Sequence, residues 1–167
     1  MIEWLDIVDE HDKVVGKAPR DQIHRENHWH RSAHIALFNS RGQMFVQLRS
    51  KNKDSSAGLW DTSAAGHVDS GESYEQCAVR ELFEELGVQI TADQLEHTGR
   101  LRPQAGNGFE FTEIYIVRSD QPLTLQQEEI DDGRWVNSAD LDAWVLERPS
   151  DFTETFHIIW QLVRSEP

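Results

Sequence analysis

The sequence predicts an α+β fold, with helices layered on a mixed sheet in an α/β/α sandwich. Three features point to it. Apolar stretches of strand character recur at Ser32–Phe38 and at 109–118. Residues 73–87 carry the strongest helical pattern, and two further helical patterns close the chain. Strands interrupted by helices at intervals suit a layered domain. The 167 residues suffice for a single domain, 1–167, with a substantial core.

In chain order, residues 3–8 are expected as a strand, the acidic stretch 9–12 as a turn and Val14–Lys17 as a short return. Residues 19–26 are expected as a helical turn after Pro19. Ser32–Phe38 reads as a strand, Asn39–Gly42 as a turn and Met44–Leu48 as the hairpin partner. The loop KNKDSSAG (51–58) leads to another extended piece, LWDTSAAGHV (59–68). After the helix at 73–87 come a long strand at 109–118 and a short one at 134–137. Helices at 138–146 and 152–164 end the chain, with Ser138 and either Ser150 or Asp151 as expected N-caps.

Composition narrows the function. Hydrophobic residues make up 38% and charged residues 28%, ordinary for a soluble globular protein. No apolar run of membrane-spanning length occurs, and the start, acidic and only briefly apolar, is not expected to act as a signal peptide. Cys77 is the only cysteine, so no intramolecular disulfide forms, which fits a cytoplasmic setting. The formal net charge of −14 repels phosphodiester backbones, so nucleic acid is not an expected partner. A small phosphorylated molecule remains open, provided cations neutralise its site. Monomer and homodimer are both left open.

The segment GHVDSGESYEQCAVRELFEELGV (66–88) poses the main question, because Glu72, Glu75, Glu81, Glu84 and Glu85 crowd into it. Like charges at helical spacing repel. At about 100° per residue, Ala78, Val79, Leu82, Phe83 and Leu86 share one apolar arc, which should bury against the sheet. Glu81, Glu84 and Glu85 share another, related as i, i+3 and i+4. Such a cluster is either a solvated acidic face or a hard-oxygen site suited to Mg²⁺ or Mn²⁺. Gly87 is placed to terminate the helix. Arg80 is spaced to meet Glu84 and to reach back to Glu72.

Gly66, then Glu72, then the run Arg80-Glu81-Leu82-Phe83-Glu84-Glu85-Leu86-Gly87-Val88 resembles the Nudix box of the Nudix hydrolases at every defined position. The resemblance implies that family's sandwich fold and hydrolysis of a nucleoside diphosphate linked to another group, with Mg²⁺ or Mn²⁺. It implies Glu81 and Glu85 as principal metal ligands, Glu84 as a further ligand or acid/base group, and the Gly66 carbonyl as an additional ligand. Glu72 and Arg80 match a structural ion pair. A general base from outside the box is also expected. Glu128 and Glu129 are the first candidates, and Glu110 and Glu113 the second. Alternation puts Glu110 and Glu113 on opposite faces of their strand, so at most one of them serves.

The histidines add a second resemblance. His24, His28, His30, His34 and His67 gather before and at the box, and in a strand His30, Ser32 and His34 share a face. With the loop SAAGH, this arrangement resembles the type I isopentenyl-diphosphate isomerases, in which His24, His30 and His67 lie near metal-binding positions. The departures are specific. Ala65 stands where that family has its catalytic cysteine, and Glu110 and Glu113 are three apart where the isomerases have glutamates two apart. Cys77, inside the helix, reads as a packing residue. The sequence therefore reads as a hydrolase of the isomerase-like branch. The isomerase itself, or a non-catalytic diphosphate-binding module, are the alternatives. Arg49, Lys51 and Lys53 are candidates to meet substrate phosphates, as are His30 and His67. Phe109, Phe111 and Trp60 are aromatic candidates for stacking or core packing.

Overall fold

A computed structural model describes residues 2–164. The elements are β1 (Trp4–Val8), β2 (Val14–Pro19), α1 (Arg20–Arg25), β3 (His30–Phe38), β4 (Met44–Arg49), β5 (Trp60–Asp61) and β6 (Ala64–His67). They continue with α2 (Tyr74–Leu86), β7 (Glu96–Leu101), β8 (Glu110–Arg118), β9 (Ile130–Val136), α3 (Ser138–Glu147) and α4 (Glu154–Val163). Strands β1 and β2 pair antiparallel as a separate ribbon. The main sheet runs β5-β4-β3-β8-β7, with β6 on β3 and β9 on β4.

Strand β3 organises the layers through its period of two. Its Ala33, Ile35 and Leu37 join Ala78, Leu82 and Leu86 of α2 in one core, together with Tyr115 and Val117 of β8. Its Ala36 joins Ile114 and Ile116 of β8 in a second core, closed by Phe156, Ile159, Trp160 and Val163 of α4 and Leu141 of α3. Helices thus cover both faces of a sheet in which β3 and β8 run parallel and their other neighbours antiparallel. This is the α/β/α sandwich expected.

Several expectations need correction. The turn at Asn39–Gly42 forms, with the Gly42 N–H donating to the Asn39 carbonyl at 3.0 Å. The hairpin beyond it does not continue: β4 meets β3 only at Phe38 and Met44. One edge of β3 is taken by β8, and its other edge from Ser32 to Ile35 by β6. Displaced from that edge, β4 pairs along its length with β9, which begins at Ile130, ahead of the expected start. The extended piece at 59–68 divides into β5 and β6 on different partners. Strand β7 was not expected, because its polar EHTGRL carries no apolar alternation and is broken by a bulge between His97 and Gly99.

The caps also shift. Asn137, not Ser138, caps α3, its Oδ1 accepting the Asp140 N–H at 2.8 Å. Thr153, not Ser150 or Asp151, caps α4, because Pro149–Asp151 is drawn into its own 3-10 turn. For α2, Ser73 and Gln76 form a reciprocal capping box, and Gly87 ends the helix at φ 72°. Its buried face is rotated from the expected one: Phe83 is 49% exposed, while Cys77 and Glu85 are buried. That rotation brings the acidic side of the helix onto β6.

Candidate active site

The rotation of α2 sorts its three clustered glutamates. Glu85 is 7% exposed. Its Oε1 accepts the Gln47 side-chain amide at 2.9 Å and the Ala65 N–H at 3.1 Å. Glu81 lies over Gly66, so closely that a Cβ there would stand 2.1 Å from its carboxyl carbon. Glu84 faces outward, its side chain 49% exposed. Arg80 ties the group together. It donates to Glu72 through Nε (2.8 Å) and Nη2 (2.9 Å), to Glu81 at 2.7 Å, to Glu84 at 3.2 Å and to the His67 carbonyl at 3.2 Å. The expected Glu72–Arg80 contact is a two-pronged ion pair. The Arg80–Glu81 contact was not anticipated, because adjacent residues do not face one another on an ideal helix.

Burial shapes the protonation of the pair. The Glu81 carboxyl is pushed up to about 8, first by burial and then by the charge of Glu85, against the pull of Arg80. Burial pushes Glu85 up to about 7, opposed by the donors from Gln47 and Ala65. One buried and one half-buried carboxyl that resist ionising side by side form a hard-oxygen set. A divalent cation is the partner that would let both ionise, so the residues present fit Mg²⁺ or Mn²⁺.

On the other side of β6 lies a second cluster. Single ligand atoms of His24, His30, His67 and Glu110 fall within 4.8 Å of one another. Glu110 Oε2 meets His30 Nε2 at 3.2 Å and His67 Nε2 at 3.1 Å. Burial works to raise the Glu110 carboxyl, but the neighbouring His67 and His30 hold it well below the usual range. Burial first, then the charge of His67, lowers His24 to about 4. His34 shares the strand face but turns to Thr62, with Nδ1 and Oγ1 2.8 Å apart. Glu113 points away from the cluster, as alternation requires, and pairs with Arg100 at 2.9 Å. Sequence reasoning did not join Glu110 to the histidines. Their meeting depends on the parallel register His30↔Glu110, across 80 positions of chain.

The remaining candidates separate. Glu129 is held by Lys53, and both influence the protonation of Glu85. Glu128 is exposed in the same turn. Arg49 is occupied by the Ser55 carbonyl at 3.0 Å and by Asp61 at 3.9 Å, which ties the 51–58 loop to β4. Lys51 is exposed at the start of that loop. Phe109 sits at φ 63° just before β8, its carbonyl accepting the His30 N–H. Phe111 is 1% exposed beneath Arg100 and Arg102, and Trp60 packs against Trp144, so both serve packing. Cys77 is fully buried, its Sγ 3.6 Å from the Gly66 carbonyl and 3.4 Å from that of His67, and burial pushes its thiol far up. Gln47 was missed as a site residue, since a glutamine within a strand carries no catalytic signal in sequence.

The fold and this arrangement define a class, and comparison with known proteins agrees. Residues 28–156 match the family model of the NUDIX domain. The chain is 38% identical over 136 residues to an uncharacterized Nudix hydrolase of Pseudomonas aeruginosa, covering 81% of this chain and 78% of that protein. It is 32% identical over 158 residues to the isopentenyl-diphosphate Delta-isomerase 2 of Photorhabdus laumondii, covering 93% and 89%. The crystal structure of DR0079 from Deinococcus radiodurans superposes with a TM-score of 0.81 at 31% identity, covering 96% of this chain and 99% of that one. The chain belongs to the Nudix family, and it is an enzyme of the pyrophosphohydrolase class. Among the described residues, no helix is long and apolar enough to cross a membrane.

Proposed function

We propose that the protein hydrolyses a phosphoanhydride bond in a nucleoside diphosphate-linked or related diphosphate metabolite, with Mg²⁺ or Mn²⁺ as cofactor. The observation that supports it best is the Glu81–Glu85 pair, Glu81 half-buried over Gly66 and Glu85 buried beside it, an arrangement unfavourable to both carboxylates without a cation. Glu81, Glu85 and the Gly66 carbonyl hold the ion, with Glu84 as a further ligand or acid/base group. When bound, the cation neutralises pyrophosphate oxygens and lowers the pKa of the attacking water. Arg80 keeps the loop before α2 against the helix through Glu72. Glu129 is the preferred base for the attacking water, ahead of Glu128, because it lies within electrostatic reach of Glu85. Arg49, Lys51 and Lys53 supply positive charge for substrate phosphates.

A second reading, isopentenyl-diphosphate isomerisation, draws on the His24–His30–His67–Glu110 cluster and on relatives bearing that name. Ala65 opposes it, since it carries no ionisable group where the isomerase pattern has cysteine. One experiment separates the two. Phosphate release from a panel of nucleoside and isoprenoid diphosphates is followed with Mg²⁺ while proton exchange into isopentenyl diphosphate is monitored. Cation-dependent cleavage of at least one diphosphate without exchange is expected. Exchange without cleavage would replace the hydrolase reading with the isomerase one.

A further inference from the structure

Gln47 lies on β4, in the region where that strand has swung away from β3, and is 5% exposed. Its side-chain nitrogen donates to two acceptors, the Ser63 carbonyl at 3.0 Å and Glu85 Oε1 at 2.9 Å. Both amide hydrogens are therefore spent, and the amide orientation is fixed, because a reversed amide would set its oxygen against two acceptors. The same Oε1 accepts the Ala65 N–H at 3.1 Å. Two donors thus occupy one oxygen of Glu85. No described residue donates to Oε2, and every sealed side-chain nitrogen or oxygen among the described residues has a partner. Oε2 is therefore the oxygen of Glu85 left without a protein partner and not sealed away, and Glu85 presents one oxygen.

We propose that Gln47 is a positioning residue that sets the metal selectivity of the site, by restricting Glu85 to coordination through a single oxygen. Ca²⁺ takes six to eight oxygens and accepts both oxygens of one carboxylate, whereas Mg²⁺ keeps a tight octahedron with few carboxylate contacts. Spending Oε1 on Gln47 and Ala65 removes the two-oxygen mode that Ca²⁺ exploits and leaves the one-oxygen mode that Mg²⁺ and Mn²⁺ require. Replacing Gln47 by an apolar residue frees one lone pair of Oε1 and loosens the carboxylate. This inference rests on Glu85 being a metal ligand, as proposed above.

The test is a binding measurement on the full chain stripped by chelator. Mn²⁺ bound is read by electron paramagnetic resonance, and the component lost in Glu85→Gln is the one scored, so that ion held by the histidine cluster is not counted. In the natural protein Mg²⁺ should displace this component at a concentration about tenfold or more below that needed with Ca²⁺. In Gln47→Leu and Gln47→Met the gap should shrink about tenfold, the scale of one hydrogen bond to a charged group, chiefly through tighter Ca²⁺. Circular dichroism establishes that the variants fold. An unchanged gap in folded variants, with Glu85→Gln still abolishing the component, overturns the role of Gln47 and leaves Glu85 as a ligand. Unchanged Mn²⁺ binding in Glu85→Gln removes both. If neither Gln47 variant folds, the natural protein decides: equal displacement by Ca²⁺ and Mg²⁺ overturns the proposal, and a wide gap supports it.

Discussion

The carboxylate of Glu81 occupies the space that a side chain on Gly66 would need: a Cβ there would lie 2.1 Å from Cδ and 2.2 Å from Oε1. The glycine is required by this close approach, since its φ lies outside the left-handed region. Gly66→Ala should leave the sheet and helix intact but drive Glu81 off β6. We expect activity and Mn²⁺ affinity to fall about 10–100-fold, as when the support of a metal ligand is lost. Full activity in Gly66→Ala, with the fold verified by circular dichroism, would remove the close approach from the mechanism.

Glu81→Gln and Glu85→Gln should each lower kcat at least about a hundredfold, the scale of losing one transition-state stabiliser. The fold should survive. A glutamine at 85 still offers an oxygen to Gln47 and Ala65, and both changes relieve the mutual repulsion of the two carboxyls. The metal-free variants should therefore melt no lower than the metal-free natural protein. Steady-state kinetics beside chelator-treated melting curves checks both halves, and near-normal kcat in both variants would sink the ligand assignment.

How much of this was legible in sequence depends on how local each feature is. The α2 glutamates and the Gly87 stop are relationships within one helix that helical geometry fixes, whereas the Arg80–Glu72 pair reaches out of the helix and was legible from the spacing of the Nudix box. The displacement of β4 onto β9 was invisible, because it follows from β6 claiming the edge of β3, and pairing between distant strands leaves no mark in a single chain. Gln47 reaches Glu85 only through that displacement. His30 meets Glu110 only through the β3–β8 register, so the histidines were visible as a group while their carboxylate was not. Phe83 shows the opposite error: it lies on the apolar arc, yet the helix turns it outward so that Glu85 can face inward.

Mg²⁺ should stabilise the protein by mass action, because the carboxylate pair is assembled only in the folded chain. At a hundredfold excess over Kd the gain is about 2.7 kcal/mol. For a domain of this length that corresponds to a Tm increase of roughly 5–10 °C. Thermal melts in chelator and in rising Mg²⁺ or Mn²⁺ provide the check. The increase should vanish in Glu85→Gln and persist in Cys77→Ser, whose hydroxyl still offers a donor to the Gly66 and His67 carbonyls.

The metal-free protein should also lose stability as pH rises through 7 to 8. Glu81 and Glu85 titrate near 8 and 7 when folded, well above the unfolded value of about 4.3. Between the unfolded and the folded values the folded state binds more protons, so stability falls with rising pH until the folded carboxyls have released theirs. His24 acts in the opposite sense: lowered to about 4 when folded, it makes stability rise with pH between about 4 and 6.5. The decline should therefore be clearest from about pH 6.5 to 8, and stability should level off above that. Saturating Mg²⁺ should flatten it, because the cation replaces the protons. A chelator-treated protein whose Tm is level or rising over that range would contradict the burial of the pair as the cause.

Isomerisation and hydrolysis make different demands at Ala65. Moving a double bond within an allylic diphosphate needs one group to add a proton to carbon and another to remove one. Ala65 lies opposite His34 in the β3–β6 pairing, on the strand face shared by His67, His30 and Glu110, and it offers neither function. Cys77 does not replace it, since its thiol sits behind β6 against the Gly66 and His67 carbonyls and burial keeps it protonated. Where the isomerase pattern calls for a glutamate two residues from Glu110, the chain has Thr112, engaged with Ser32 at 2.9 Å, while Glu113 faces Arg100 on the opposite side of the sheet. We expect no measurable isomerisation of isopentenyl diphosphate by the natural protein. Ala65→Cys should not create it, because the second carboxylate is still missing. Proton exchange into isopentenyl diphosphate followed by NMR measures both, with diphosphate hydrolysis assayed in the same samples. Turnover that survives Cys77→Ser and is lost in His67→Ala, with no hydrolysis, would move the chemistry from the glutamates of α2 to the histidine cluster.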